Sequence, residues 1–125
     1  MLEYKQVWEN ALPTETFVNQ TISLINLFND TKFIVIESID NQNCTRSYTT
    51  LGTYYENETE DIVNMVLEGK TAKSLTKCTR NIKIEKGPDD TTALNIEFDH
   101  AYGENGTIYD VTCIPQKIYI IGTNT

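Results

Sequence analysis

The residue best suited to recognising a ligand is Glu37, an acidic side chain inside an apolar, β-branched segment. In strict strand alternation Glu37 shares a face with Phe33, Val35 and Ile39. A carboxylate buried among these groups is costly unless it is paired, and its partner would be a Lys, an Arg or the ammonium of a bound amine. The alternative is that this face points outward, or that Glu37 lies in water at the rim of the fold.

Aromatic side chains are the second group with binding chemistry. Inward-facing rings stack on flat ligands and attract cations through their faces. Plain core packing is the alternative explanation, because tyrosine is common in strands. The aromatics in strand-like segments are Tyr48, Tyr54, Phe98, Tyr109 and Tyr119. The candidate ligand-binding set is Phe33, Glu37, Tyr54, Phe98 and Tyr109.

Catalysis has little support in the sequence. His100 is the single imidazole, beside Asp99, and no motif of nucleophilic or phosphate chemistry occurs. Carboxylates are numerous, but no spacing selects an acid–base pair. We therefore expect a protein that is not an enzyme and has no cofactor. With one His and no Cys-x-x-Cys pair, we also expect no metal site.

Three cysteines, Cys44, Cys78 and Cys113, are the disulfide candidates. They are too few for a disulfide-rich scaffold. In an oxidising compartment an odd number leaves three possibilities: one bridge plus a free thiol, an intermolecular bond, or a partner cysteine missing from this chain.

Asparagine indicates the compartment. The Asn-x-Thr triplet occurs at Asn19, Asn29, Asn43, Asn57 and Asn105, never with Pro in the middle. Twelve Asn and twenty-two Ser plus Thr in 125 residues give about two such triplets by chance. An Asn- and Thr-rich composition is one explanation. The one we favour is a secreted protein glycosylated at these positions. The residues after Met1 do not resemble a secretory signal, so a secreted form would be mature or trimmed.

Length and charge limit the partners. The 125 residues fit one domain, and 18 acidic against 10 basic side chains give a net charge of −8. Nucleic acid and anionic membranes would be repelled. A cationic ligand or a basic protein suits the acidic balance, and so does a merely solvated surface. No apolar run approaches the roughly 20 residues that span a bilayer.

Apolar periodicity predicts one helix followed by strands. Residues 14–28 place Phe17, Ile22 and Ile25 at helical spacing. From residue 32 the period is mostly two, and 103–106 contains the Asn-Gly pair of a hairpin turn. Another turn is predicted at 114–116. Such an antiparallel meander closes into a barrel or folds into a sandwich. The predicted strands are 32–39, 48–55, 62–67 (also compatible with a helical turn), 81–85, 93–100, 107–113 and 117–122.

This order of elements resembles the salivary lipocalins of ticks. The matching features are Trp8 with the 14–28 segment, a first barrel strand at 29–38, Cys44 before the second strand, a polar hairpin at 54–60, and paired middle strands at 93–98 and 106–111. The resemblance covers most of the chain. It implies one lipocalin-like domain over 1–125, an antiparallel barrel with one N-terminal helix. Because those proteins usually continue through a last strand and a helix, it implies a shortened or divergent member.

By this resemblance the expected function is sequestration of a small host mediator inside the barrel, either a biogenic amine such as histamine or serotonin, or a lipid mediator. The rival expectation is a secreted immunomodulator that binds a host protein through its surface while side chains fill the interior. A short chain favours the rival, because fewer strands enclose a smaller space. The amine-binding members of that family carry Cys-Asp-Val and Tyr-Glu-Leu-Trp motifs. Both motifs are absent from this sequence, which has Cys113-Ile114-Pro115-Gln116 at the comparable place.

Overall fold

Eight strands form two antiparallel sheets. The structure, a computed structural model, describes residues 1–12, 15–25, 27–41, 46–52, 62–71, 75–86 and 93–124. Sheet A has the strand order β1-β8-β3-β4, and sheet B has the order β2-β7-β6-β5. The predicted mainly β, antiparallel fold is confirmed. The strands are β1 (Glu3–Glu9), β2 (Gln20–Leu24), β3 (Asp30–Asn41), β4 (Arg46–Gly52), β5 (Ile62–Lys70), β6 (Lys77–Lys86), β7 (Leu94–Gly103) and β8 (Thr112–Thr123).

The core lies between the two sheets. Alternate residues of β7, Leu94, Ile96 and Phe98, point into it, so the strand predicted at 93–100 is confirmed. Each aliphatic side chain removed from water in this way contributes about 1.5–3 kcal/mol. From β6, which contains the strand predicted at 81–85, the core receives Ile82 and Ile84. Sheet A supplies Ile34, Ile36, Ile39, Ile114, Ile118 and Ile120.

The predicted helix over 14–28 is wrong for the described residues of that segment. Residues 20–24 form β2, which pairs with β7 from Gln20 opposite Phe98 to Leu24 opposite Leu94. Within β2 the residues that turn toward the core are two apart, with Ile22 half-buried and Leu24 buried. The β-branched residues of this segment also suit a strand. Hydrogen bonding to the edge of β7 favours the strand over the helix.

Closure into a barrel is not observed in the described part of the chain. Each sheet has two outer strands, β1 and β4 in sheet A and β2 and β5 in sheet B. The described residues also contain no helix, and so none long and apolar enough to cross a bilayer. The described residues therefore form two packed sheets. Their strand pairings do not show a lipocalin-like barrel.

The turn predicted at 114–116 is wrong, because strand β8 continues through these residues. β8 lies between β1 and β3, and its register shifts where Glu37 faces Lys117 and Ser38 faces Pro115. The extra residue between them, Gln116, makes this a β-bulge. Proline lacks the N–H that a central strand uses, so a bulge is a position where Pro115 is tolerated.

The turn predicted at 103–106 is confirmed. Gly106 donates its N–H to the carbonyl of Gly103 at 3.0 Å, and its φ of +82° is one that glycine adopts without strain. The strand predicted at 107–113 is wrong. Only an isolated bridge joins Ile108 to Tyr102 before β8 begins at Thr112.

Candidate functional site

The outer face of sheet A carries an apolar strip. Outward positions of β3 and β8 pair directly, Val35 with Tyr119 and Phe33 with Ile121. The ring of Tyr4, from β1, lies 6.1 Å from the ring of Tyr119. Tyr4 is 72% exposed and the other four are half-buried. We call these five residues the outer strip.

An open groove of about 270 Å³ lies on this surface, lined by Tyr4, Val35, Tyr119 and Ile121. Pockets that enclose a drug-sized ligand are roughly 300–1,000 Å³. This groove is smaller and open to solvent, so it suits a protruding side chain of a larger partner better than an enclosed small molecule.

Glu37 lies at the next outward position after Val35, so the Phe33 face points away from the core. Ile39, which alternation had placed with Glu37, belongs to the core instead. Glu37 is only 4% exposed, and its register partners are Lys117 on β8 and Tyr48 on β4. A lysine directly across the strand pair is one of the partners that the sequence left open for this carboxylate.

The five candidate ligand residues do not form one cluster. Phe33 and Glu37 are on the outer face of sheet A, whereas Phe98 lies in the core between the sheets. Tyr109 packs against that core from the loop before β8. Tyr54 lies outside the described residues.

Two aromatic rings pack against Phe98. Phe17 meets it edge-on, with ring centroids 5.2 Å apart, and Trp8 lies 6.3 Å away. Trp8 and Phe17 also meet edge-on, at 6.2 Å. This is core packing, the alternative that the sequence analysis kept open for these aromatics.

A buried polar network crosses the same core. The guanidinium of Arg80, on β6, donates to three backbone carbonyls: Nε to Cys113 at 2.9 Å, Nη1 to Asp99 at 2.7 Å and Nη2 to Thr112 at 3.2 Å. Arg80 has no exposed surface. Burial lowers the pKa of Arg80 and the nearby carboxylate of Asp110 opposes that shift. The group stays charged because arginine titrates far above neutral pH.

Asp110 is the acidic member of the network. Its Oδ1 accepts the N–H of Ala101 at 2.9 Å and lies 3.6 Å from Nη1 of Arg80. Its Oδ2 is 2.6 Å from Nδ1 of His100. A carboxylate orienting an imidazole is half of a nucleophile-activating arrangement. Here the other side chain beside Asp110 is Arg80, which donates to carbonyls of β7 and β8, so the network ties the two sheets together.

In the described part of the chain, the His100–Asp110 pair is not accompanied by further metal-ligating side chains. No group of three or more His, Cys, Asp or Glu in the described ranges could hold a metal ion. The amino-acid sequence did not predict this network, because Arg80 and Asp110 are thirty positions apart and form no local motif.

The described sequons lie at the surface. Asn19, Asn29 and Asn105 are exposed, as an attached glycan requires. Asn29 also donates its side-chain amide to the carbonyl of Asn124 at 3.2 Å. The other two sequons, Asn43 and Asn57, lie outside the described residues.

Two of the three cysteines are buried side by side. Cys78 and Cys113 are free thiols with no exposed surface. The Sγ of Cys113 donates to the carbonyl of Cys78 at 3.5 Å. Burial raises the pKa of both thiols, although a hydrogen bond with Thr112 opposes the shift in each. Cys44 lies outside the described residues.

Comparison with known proteins gives no match among protein-family models, curated proteins or solved structures. The geometry above therefore carries the functional argument.

Proposed function

We propose that this chain is a secreted, N-glycosylated binding protein that holds a basic protein on the outer face of sheet A and performs no chemistry on it. The observation that carries the proposal is the outer strip, a solvent-facing apolar and aromatic surface with an open groove between Tyr4 and Tyr119. Tyrosine is among the residues that most often contribute strongly to binding at protein interfaces.

The charge of the chain selects the class of partner. A net charge of −8 attracts a basic surface and repels an acidic one. On β1 the exposed Glu9 is in register with Lys117 of β8. Steering by the net charge of the chain would speed the encounter, and the apolar strip would supply the lasting contact.

The interior of the described sheets gives less support to mediator sequestration. The space between them is occupied by packed side chains, including Phe17, Phe98 and Ile36. A carrier needs an enclosed space for its ligand. Of the two expected functions, we therefore propose protein binding through the surface, with side chains filling the interior.

A lipocalin-like barrel remains part of the proposal. Its support is the connection order: β3 pairs with β4, β5 to β7 run as an up-and-down series, and β8 returns to pair with β3. Barrels of this family close in the same way, by pairing the last strand with the first. The relationship to tick salivary lipocalins is proposed on this basis and on the sequence order.

The test uses the glycosylated chain immobilised on a biosensor, with purified strongly basic and strongly acidic extracellular proteins as probes. We expect saturable binding within the basic set, weakened by salt. Tyr4→Ser should weaken it about tenfold or more. The matched control is Val66→Ser, which changes an exposed apolar residue of sheet B and should leave affinity unchanged.

The same sensor also tests the competing function. Stoichiometric binding of histamine, serotonin or an eicosanoid, with no basic protein bound, would overturn the surface proposal in favour of sequestration. Equal effects of Tyr4→Ser and Val66→Ser would remove the outer strip as the contact surface.

A further inference from the structure

We propose that Cys78 and Cys113 form a disulfide in the oxidised protein, which ties β6 of sheet B to β8 of sheet A and leaves Cys44 outside the pair. This inference is independent of the proposed partner. It selects one bridge plus an unpaired cysteine from the possibilities that an odd cysteine count allows.

A direct contact joins the two cysteines. Sγ of Cys113 reaches the carbonyl oxygen of Cys78 at 3.5 Å, and the hydroxyl of Thr112 donates to the same sulfur at 3.4 Å. The thiol of Cys78 donates to the carbonyl of Thr76 at 3.5 Å. Because Sγ of Cys113 already touches the backbone of Cys78, rotation of the Cys78 side chain away from Thr76 is the movement that the bond requires.

Glycines flank Cys78 and let neighbouring parts of the chain pack closely around it. In the register of sheet B, Cys78 lies opposite Gly69 on β5 and opposite Gly103 on β7. Neither neighbour has a side chain on the face that Cys78 uses. A Cβ on Gly69 would come within 2.9 Å of the Cα of Asp40 on β3, so glycine is also what lets β5 approach sheet A here.

Cys113 is held in an unusual backbone conformation that aims its side chain. Its φ of +52° lies in the left-handed region, which non-glycine residues seldom occupy unless surrounding contacts fix them. Arg80 supplies such a contact by donating Nε to the Cys113 carbonyl at 2.9 Å. The position of this thiol is therefore set by the buried network, with little freedom to point elsewhere.

The bond forms by two thiol–disulfide exchanges with oxidised glutathione. The Cys78 thiolate attacks glutathione disulfide, making a mixed disulfide and releasing one glutathione thiolate. The Cys113 thiolate then attacks the Cys78 sulfur and expels the second glutathione. Two protein thiols are oxidised, one glutathione disulfide is reduced to two thiols, and the two cysteine protons end on those glutathiones.

Burial determines when the reaction takes place. Both side chains have no exposed surface in the packed sheets, so glutathione reaches them only while the sheets are still assembling. Once formed, the bond is shielded from reductants. We therefore expect a structural bridge made during folding.

A peptide map of the whole chain tests the pairing. The protein is refolded with reduced and oxidised glutathione, alkylated and digested with trypsin without reduction. We expect peptide 78–80 joined to peptide 87–117 by the loss of two hydrogen atoms. Peptide 33–46, which carries Cys44, should be alkylated. A bond from peptide 33–46 to either partner, or alkylation of both Cys78 and Cys113, would overturn the proposal.

Variants provide the matched controls. Cys44→Ser should keep the same cross-linked pair, whereas Cys78→Ser should leave Cys113 without it. Reduction should lower the thermal midpoint of the Cys44→Ser protein by about 10 °C. If Cys78→Ser does not fold, the peptide map of the unsubstituted protein still decides whether Cys78 and Cys113 are paired.

Discussion

Arg80 and Asp110 join the two sheets through charge: Nη1 of Arg80 lies 3.6 Å from Oδ1 of Asp110, and both side chains are buried. Arg80 belongs to sheet B, and Asp110 lies in the loop that leads into the central strand of sheet A. The carbonyls of Asp99, Thr112 and Cys113 complete the coordination of the guanidinium. Without Asp110, Arg80 would lose the buried carboxylate beside it, whereas without Arg80, Asp110 would keep its contacts with His100 and the N–H of Ala101.

Replacing Arg80 should therefore be severe. Arg80→Met removes the buried cation beside Asp110 and withdraws the side-chain donors that three carbonyls receive. We expect a loss of about 3–5 kcal/mol in the free energy of unfolding. Urea unfolding followed by circular dichroism measures it. The control is Lys77→Met on the same strand, whose exposed ammonium is 3.9 Å from Glu68 and should contribute less than about 1 kcal/mol. Similar losses in both variants would contradict this account.

The aromatic cluster offers a spectroscopic readout. Trp8 is the single tryptophan and lies beside Phe98 and Phe17. Phe98→Ala should destabilise the fold by about 3–5 kcal/mol, through lost transfer energy and the cavity that remains. The emission of Trp8 should shift to longer wavelength as water reaches the site. Ile108→Ala, at an exposed position, should change neither, and an unchanged spectrum for Phe98→Ala would disprove the packing.

High pH should destabilise the reduced protein. Burial raises the pKa of Cys78 and Cys113 above 9.0. As pH rises past that value, the unfolded chain releases thiol protons that the folded chain retains, so the free energy of unfolding falls. Below that value the contribution is fully present.

The comparison is made in a Cys44→Ser background, with stability measured against pH in reduced and oxidised samples. Tyrosine and lysine titrate in both and cancel. The oxidised sample lacks the two thiols and should show a shallower decline. Parallel curves would argue against buried thiols as the cause.

Glycan attachment should follow exposure. Asn19, Asn29 and Asn105 lie at the surface, and expression in a glycosylating host should yield a protein whose mass falls on treatment with a glycosidase. Asn105→Gln should remove one glycan and lower the free energy of unfolding by about 1 kcal/mol or less, because the side chain of Asn105 also accepts the N–H of Thr107 at 3.0 Å. An unglycosylated product at all three positions would remove the support for secretion.

Local pattern predicted most of sheet B. Leu94, Ile96 and Phe98 alternate with polar residues, and this period of two is visible without any knowledge of partners. The same pattern could not place β2. Ile22 fits helical spacing with Ile25 and strand spacing with Leu24, and only the pairing with β7 distinguishes the two structures.

The candidate site was harder to predict for a similar reason. Which side of β3 faces inward depends on what packs against it, so alternation grouped Phe33 with Glu37 correctly but could not say that their face is the outer one. Tyr4 was missed because β1 has a charged, irregular sequence and becomes a strand through pairing with β8. The Arg80–Asp110 contact is long-range and leaves no local signature.

The position of β8 has a consequence for the order of folding. Its partner β1 is separated from it by most of the chain: the side chain of Asn10 bonds the carbonyl of Pro115, 105 positions away. During synthesis β5, β6 and β7 can pair with one another as they emerge, whereas β1 must wait until the last strand leaves the ribosome. Such distant pairing slows folding, and until it occurs the apolar edge of β3 stays open to other chains.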